Sequence, residues 1–146
     1  MLLSTWFGTG LIKPASGTWG SLASLPFAWF LCDLGGTLAL ALATLTVFAV
    51  GIWAASIYSE VLSEVDPSQI VIDEVAGQWL TLLVVPPNLL FYAIGLIFFR
   101  IFDIIKPWPV SWADRHLKGG LGIMLDDILA GVYAAVALCF VHLFFY

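Results

Sequence analysis

The sequence predicts an all-α protein, a polytopic membrane helix bundle with about four to five apolar segments. Three observations predict it. Of the 146 residues, 62% are hydrophobic and only 10% are charged, whereas soluble domains carry roughly 25% charged residues. Residues 38–58 and 128–146 contain no Asp, Glu, Lys or Arg, and each is long enough to cross a ~30 Å hydrocarbon core as a helix. A third apolar stretch, 70–105, is broken by Pro86-Pro87-Asn88. Two adjacent prolines remove helix hydrogen bonds and clash with the preceding turn, and Asn favours turns, so this stretch reads as a helical hairpin turning at Pro86-Pro87. The length suits a single domain, residues 1–146.

The elements follow in order. Residues 1–13 are mildly apolar. The small-residue run Gly17-Thr18-Trp19-Gly20-Ser21 precedes a short apolar segment at 22–31, with Thr18 or Ser21 as the expected helix cap. Residues 33–36 make a turn before the span at 38–58. Residues 59–69 form a polar, acidic loop, where Pro67-Ser68 suits a helix start. Residues 70–85 and 89–105 are the arms of the hairpin. Residues 106–122 form the main polar loop, and the last span begins at 128, with Asp126-Asp127 in or just before its first turn. No charged n-region or small-residue cleavage site marks a signal peptide, so the apolar segments are expected to stay in the mature chain.

With five segments, residues 1–18, 59–70 and 106–122 fall on one side of the membrane. Lys13, Arg100, Lys106, Arg115 and Lys118, all five basic residues, lie on that side, which the positive-inside rule makes the cytoplasm. Asp73-Glu74, Arg100-Asp103 and Asp126-Asp127 then lie at one depth, near the cytoplasmic interface. A single helix through the prolines would instead hold Asp73 and Arg100 about 40 Å apart.

Arg100, Asp103 and Lys106 recur at three-residue intervals and share one helix face. Charges in a membrane helix are costly and mark ligands, partners or pathways. Five carboxylates, Asp73, Glu74, Asp103, Asp126 and Asp127, exceed the charge that Arg100 and Lys106 can neutralise. The excess calls for protons or a metal. An all-oxygen donor set points to a hard cation, Mg²⁺ first, which typically takes one or two carboxylates together with substrate phosphate. The five acids are therefore candidate catalytic residues and metal ligands, and Arg100 and Lys106 candidate phosphate binders. Structural ion pairs would explain any one of these acids but less readily two acidic doublets and a third acid on three helices. A carboxylate-lined transporter or ion pathway is the competing function.

Backbone N–H groups in Gly17-Thr18-Trp19-Gly20-Ser21 and Gly119-Gly120-Leu121-Gly122 are candidates to cradle phosphate, with Thr18 and Ser21 as further substrate-binding candidates. His116 reads as a solvated loop residue and His142 as structural. Cys32 and Cys139 read as small buried hydrophobes. The net charge of −5 and the lack of a basic patch exclude nucleic-acid binding. A Cys-x5-Arg loop is absent, which argues against cysteine-phosphatase chemistry.

These motifs resemble the phosphatidylglycerophosphatase A family. The resemblance rests on Gly17-Thr18-Trp19-Gly20-Ser21; on Ile72-Asp73-Glu74 followed by Gly77 and Trp79; on Phe99-Arg100-Ile101-Phe102-Asp103 running into Lys106-Pro107-Trp108-Pro109; and on residues 119–127 followed by Ala130-Gly131. Together they cover most of residues 14–133 in the expected order. Ser16 departs from the pattern, standing where the family usually has proline. The paired aspartates of CDP-alcohol phosphotransferases are absent. The resemblance implies a bacterial inner-membrane, multi-pass, Mg²⁺-dependent phosphatase. It would hydrolyse the lipid phosphatidylglycerophosphate to phosphatidylglycerol and inorganic phosphate at a site facing the cytoplasm. The nucleophile stays open between metal-activated water and an aspartyl group.

Overall fold

A computed structural model describes residues 2–13, 15–63 and 70–145. Among the described residues all regular structure is helical. Five α-helices, α1 (Ser16–Leu62), α2 (Ile72–Leu82), α3 (Leu89–Ile105), α4 (Val110–His116) and α5 (Gly119–Phe145), follow a short 3₁₀ turn at Thr9–Leu11.

α1 is two arms joined at a sharp break. Gly35 (φ −150°, ψ 19°) and Gly36 (φ 68°, ψ −161°) leave the helical region. The positive φ at Gly36 is a conformation that glycine adopts without a Cβ clash. The first arm sets Gly17 beside Glu74 and Arg100, and further on Trp29 meets Tyr92 edge-on at 5.4 Å. The second arm returns, so that Gly51 lies against Met124 and the Gly120 N–H donates to Ser56 Oγ at 2.9 Å. The turn predicted at 33–36 is therefore a two-glycine reversal between helices longer than expected.

The break at Pro86-Pro87-Asn88 is a true turn. α2 ends at Leu82 and α3 starts at Leu89. Asn88 Oδ1 accepts from the backbone N–H groups of Leu90 (2.9 Å) and Phe91 (3.3 Å), satisfying two donors that a helix start leaves free. The helices run back along each other: Gly95 packs on Leu82 near the turn and Gly77 on Phe99 further from it.

Three sequence expectations shift. The first helix starts at Ser16, with Ala15 rather than Thr18 or Ser21 as its N-cap and no side-chain cap. Both glycine runs lie within the opening turns of α1 and α5 rather than ahead of them. The reason is shared: small residues let these turns pack tightly, and that tertiary contact outweighs glycine's weak helix propensity. Asp126-Asp127 consequently sit two turns inside α5. The loop expected at 59–69 is helical to Leu62; from residue 64, including Pro67-Ser68, it lies outside the described residues.

The interior is built of apolar clusters around Phe91, Phe99 and Met124, yet large apolar side chains also cover the outside. Buried positions include Ser21, Ser24, Thr44, Gln78 and Thr81, while Phe30, Leu38, Leu45, Trp53, Phe140 and Leu143 face outward. Two helices, Ser16–Leu62 and Gly119–Phe145, are long and apolar enough to cross a membrane.

Candidate active site

The site forms where α2 and α5 cross. A Cβ at Gly131 would lie 2.6 Å from the Gly77 carbonyl oxygen, and one at Gly77 would lie 2.6 Å from the Asp127 carbonyl oxygen. Only glycine at both positions permits that approach. Thr81 ties the crossing: its hydroxyl donates to the Gly77 carbonyl of its own helix at 2.9 Å and reaches the Gly131 carbonyl of α5 at 3.4 Å. One turn from this contact, Asp73 and Glu74 on α2 meet Asp127 on α5. Ligand atoms of these three carboxylates lie within 4.8 Å of one another.

All seven charged residues singled out in the sequence line one cavity of about 660 Å³: Asp73, Glu74, Arg100, Asp103, Lys106, Asp126 and Asp127. Their roles within it differ. Asp103 pairs with Arg100, one turn away on α3, and Arg100 Nη1 also lies 3.8 Å from Glu74. Lys106 donates to Asp126 at 3.2 Å and to Asp114 at 2.7 Å. Burial alone would lower the Lys106 pKa, but the hydrogen bond to Asp114 and the charge of Asp126 outweigh it and hold the ammonium above the usual lysine range. Burial would likewise raise Asp114, yet its bond to Lys106 brings it below the usual carboxylate range. Lys106 is thus held as a cation from both sides.

Asp73, Glu74 and Asp127 are otherwise. Asp73 Oδ1, Glu74 Oε2 and Asp127 Oδ2 are buried with no hydrogen-bond partner among the described residues. Three carboxylates that converge to within 4.8 Å and each keep a buried, unpartnered oxygen are costly without a cation between them. The donor set is all oxygen, which fits a hard divalent ion. Arg100 Nε is also buried and unpartnered.

The rest of the wall includes Lys13, Ala15, Ser16 and Gly17. The first turn of α1, whose backbone N–H groups lack intrahelical acceptors, therefore opens onto the cavity. Of the glycine run expected to cradle phosphate, Gly17 lines the cavity, together with the preceding Ala15 and Ser16. Thr18 lines a neighbouring apolar cavity, and Ser21 is fully buried away from the acids. Asp114 and Lys13 were missed. Asp114 lies eight residues past Lys106, and only the turn between α3 and α4 brings it close. Lys13 was legible as a basic residue directly before the glycine run. Gly119 and Gly122 of the second glycine run line a small cavity of about 30 Å³ that shares Asp126 with the acidic one, His116 stacks on Trp112 at the surface, and His142 packs on Phe91.

A family model described as Phosphatidylglycerophosphatase A matches residues 2–142. The chain belongs to the phosphatidylglycerophosphatase A family. Its members are phosphatases, and the cavity carries the charges such an enzyme needs. The chain is 40% identical to Phosphatidylglycerophosphatase A of Escherichia coli, over 96% of this chain and 81% of that one. It is 37% identical to Phosphatidylglycerophosphatase A of Haemophilus influenzae, over 92% and 83%. It is also 42% identical, over 93% and 89%, to a Bacteroides thetaiotaomicron protein named "Putative phosphatidylinositol-3-phosphatase". No solved structure matches the chain.

Proposed function

We propose that this phosphatase hydrolyses the phosphomonoester of phosphatidylglycerophosphate, releasing phosphatidylglycerol and inorganic phosphate, with Mg²⁺ as cofactor. The observation that carries the reading is the division of labour in the cavity. Asp73, Glu74 and Asp127 form an unpartnered oxygen cluster, while Arg100 and Lys106 stand as oriented cations beside it. The names of the similar proteins share one chemistry, a phosphomonoester on a phospholipid headgroup.

Asp73, Glu74 and Asp127 would hold the ion. When bound, Mg²⁺ supplies charge stabilisation for phosphoryl oxygens and lowers the pKa of water. The chain's own residues do the rest. Arg100 and Lys106 bind the phosphoryl oxygens, Arg100 by its planar fork and Lys106 as a point charge. Asp103 anchors the first, and Asp126 with Asp114 anchors the second. The N–H groups of the first turn of α1 add donors and the positive end of the helix dipole. Fixed donors aimed at developing charge need little reorganisation in the transition state.

The enzyme is proposed to be a multi-pass protein of a bacterial inner membrane, with both arms of α1, the α2–α3 hairpin and α5 within the bilayer and the cavity facing the cytoplasm. The apolar outer surface and the placement of the basic residues support this.

The test is phosphate release by the purified full chain from phosphatidylglycerophosphate, with phosphatidylinositol 3-phosphate in parallel. Activity should be abolished by EDTA and restored by Mg²⁺. Metal-independent turnover would remove the cofactor assignment. Solute or ion movement in liposomes without phosphate release would favour the transporter reading. Preference for the inositol lipid would reassign the headgroup.

A further inference from the structure

The acidic cavity does not end at its charged wall. Arg100 and Ile104 also line an apolar cavity of about 420 Å³, with Thr18, Leu96 and Ile97. Leu96 in turn lines a third cavity of about 740 Å³, walled by Leu22, Pro26, Trp29, Leu89, Tyr92 and Ala93, among others. The three join through shared residues into one trough along the seam between the first arm of α1 and α3. One end carries Arg100 and the charged site, Asp33 lies on the wall of the third cavity, and nearly all of the remainder is hydrocarbon and aromatic surface.

We infer that this trough is the binding site for an acyl chain of the substrate, entered sideways from the bilayer between the first arm of α1 and α3. The inference rests on the lipid-phosphatase reading and adds to it the part of the substrate remote from the reaction. Continuity is the first argument. An amphiphile whose phosphate lies at Arg100 has its glycerol beside Thr18 and Ile97 and its tail directed at Leu96. Length is the second. From Arg100 to Leu89 the α3 axis rises roughly 16 Å, room for most of a long acyl chain and far more than a six-carbon one needs. The wall is the third: Ala93 is exposed on it, a small residue between the larger Leu89, Tyr92 and Leu96. Holding the tail adds binding energy remote from the reacting atom, present equally before and during reaction, which lowers KM.

Ala93→Trp tests this, because it fills the trough from an exposed position outside the charged site. Val132→Trp, an exposed position on α5 that lines none of the three cavities, is the control. The substrates are dioleoyl- and dihexanoyl-phosphatidylglycerophosphate in mixed micelles. In Ala93→Trp, KM for the dioleoyl lipid should rise about tenfold with kcat little changed, as expected when uniform binding is lost. KM for the dihexanoyl lipid, and all constants of Val132→Trp, should stay within about twofold of the parent. Equal effects on both lipids would overturn the trough assignment. So would an unchanged dioleoyl KM with an altered oligomeric state, which would give the seam to a second copy of the chain. Should the parent release no phosphate from either lipid, the phosphatase reading falls by itself. The trough is then judged by photocapture of phosphatidylglycerophosphate carrying a tail diazirine. Capture on residues 22–33 and 89–96 that Ala93→Trp abolishes supports it. Even capture over all outward helix faces, or equal capture of phosphatidylcholine with the same tail, overturns it.

Discussion

Asp127→Asn separates a metal-binding cluster from a set of structural ion pairs, because the two predict opposite stability effects. Asp127 is 3% exposed, and its Oδ2 has no partner among the described residues. Its ligand atom lies within 4.8 Å of those of Asp73 and Glu74. Two unit charges at that separation repel by at least about 3.5 kcal/mol at an effective dielectric near 20. Asp127 faces two such neighbours, though protonation within the cluster caps the total. Replacing it by Asn removes that repulsion with little change in volume. In EDTA the variant should therefore melt at or above the parent's temperature. Adding Mg²⁺ should raise the parent's Tm by linkage and leave the variant nearly unmoved. Turnover at saturating Mg²⁺ should fall by roughly 10² to 10³ or more, the range seen when one element of transition-state charge stabilisation is lost. The assay pairs thermal melting in detergent with phosphate release, and Glu60→Gln on the exposed end of α1 is the charge control, expected to match the parent. An Asp127→Asn protein that melts lower in EDTA while keeping its rate per folded molecule would refute the reasoning and return the acids to a structural role.

Three further outcomes follow from the geometry. Gly131→Ala puts a Cβ 2.6 Å from the Gly77 carbonyl oxygen; it should cost roughly 1–3 kcal/mol by overpacking and reduce Mg²⁺ affinity by parting α5 from α2, which titration of the Mg²⁺ dependence of turnover would measure. Asp114→Asn removes the 2.7 Å partner of Lys106; because the folded pKa of Asp114 is lowered, the pair stabilises above the ordinary Asp value near 4 and loses that contribution as pH falls through the lowered value, so the gap to the parent should be under about 1 kcal/mol at neutral pH, since the pair is partly exposed, and should close in acid melts. Single cysteines at Ser111 and at Asn88, in a background without Cys32 and Cys139, should be labelled from opposite faces of the membrane, Ser111 from the cytoplasm; labelling from one face would dismantle the proposed topology.

The sequence carried the site further than the fold because the two rest on different physics. A charge in an apolar stretch is conspicuous wherever the helix ends fall, so Asp73, Glu74, Arg100, Asp103, Lys106, Asp126 and Asp127 stood out before any geometry. The hairpin was legible for a similarly local reason, since Pro86-Pro87-Asn88 forbids helix by covalent structure alone. Helix starts were less so. Gly17, Gly20, Gly119 and Gly120 read as turn residues, yet each lies in a helix whose close approach to a neighbour has room for no Cβ or opens onto a cavity, a tertiary cause with no local signature. What could not be read at all was the split among the acids. Spacing gives five equivalent carboxylates. Distance gives Asp103 and Asp126 hydrogen-bonded to cations, Glu74 at the edge of Arg100's reach, and Asp73 and Asp127 with no cation beside them, and this difference turns a charge cluster into a candidate metal centre. It arises at a backbone contact, Gly77 on Gly131, between residues 54 positions apart. Neither glycine is chemically active. Their close approach is what brings Asp73 and Glu74 to Asp127, so the crossing belongs to the candidate site as much as the charges it assembles.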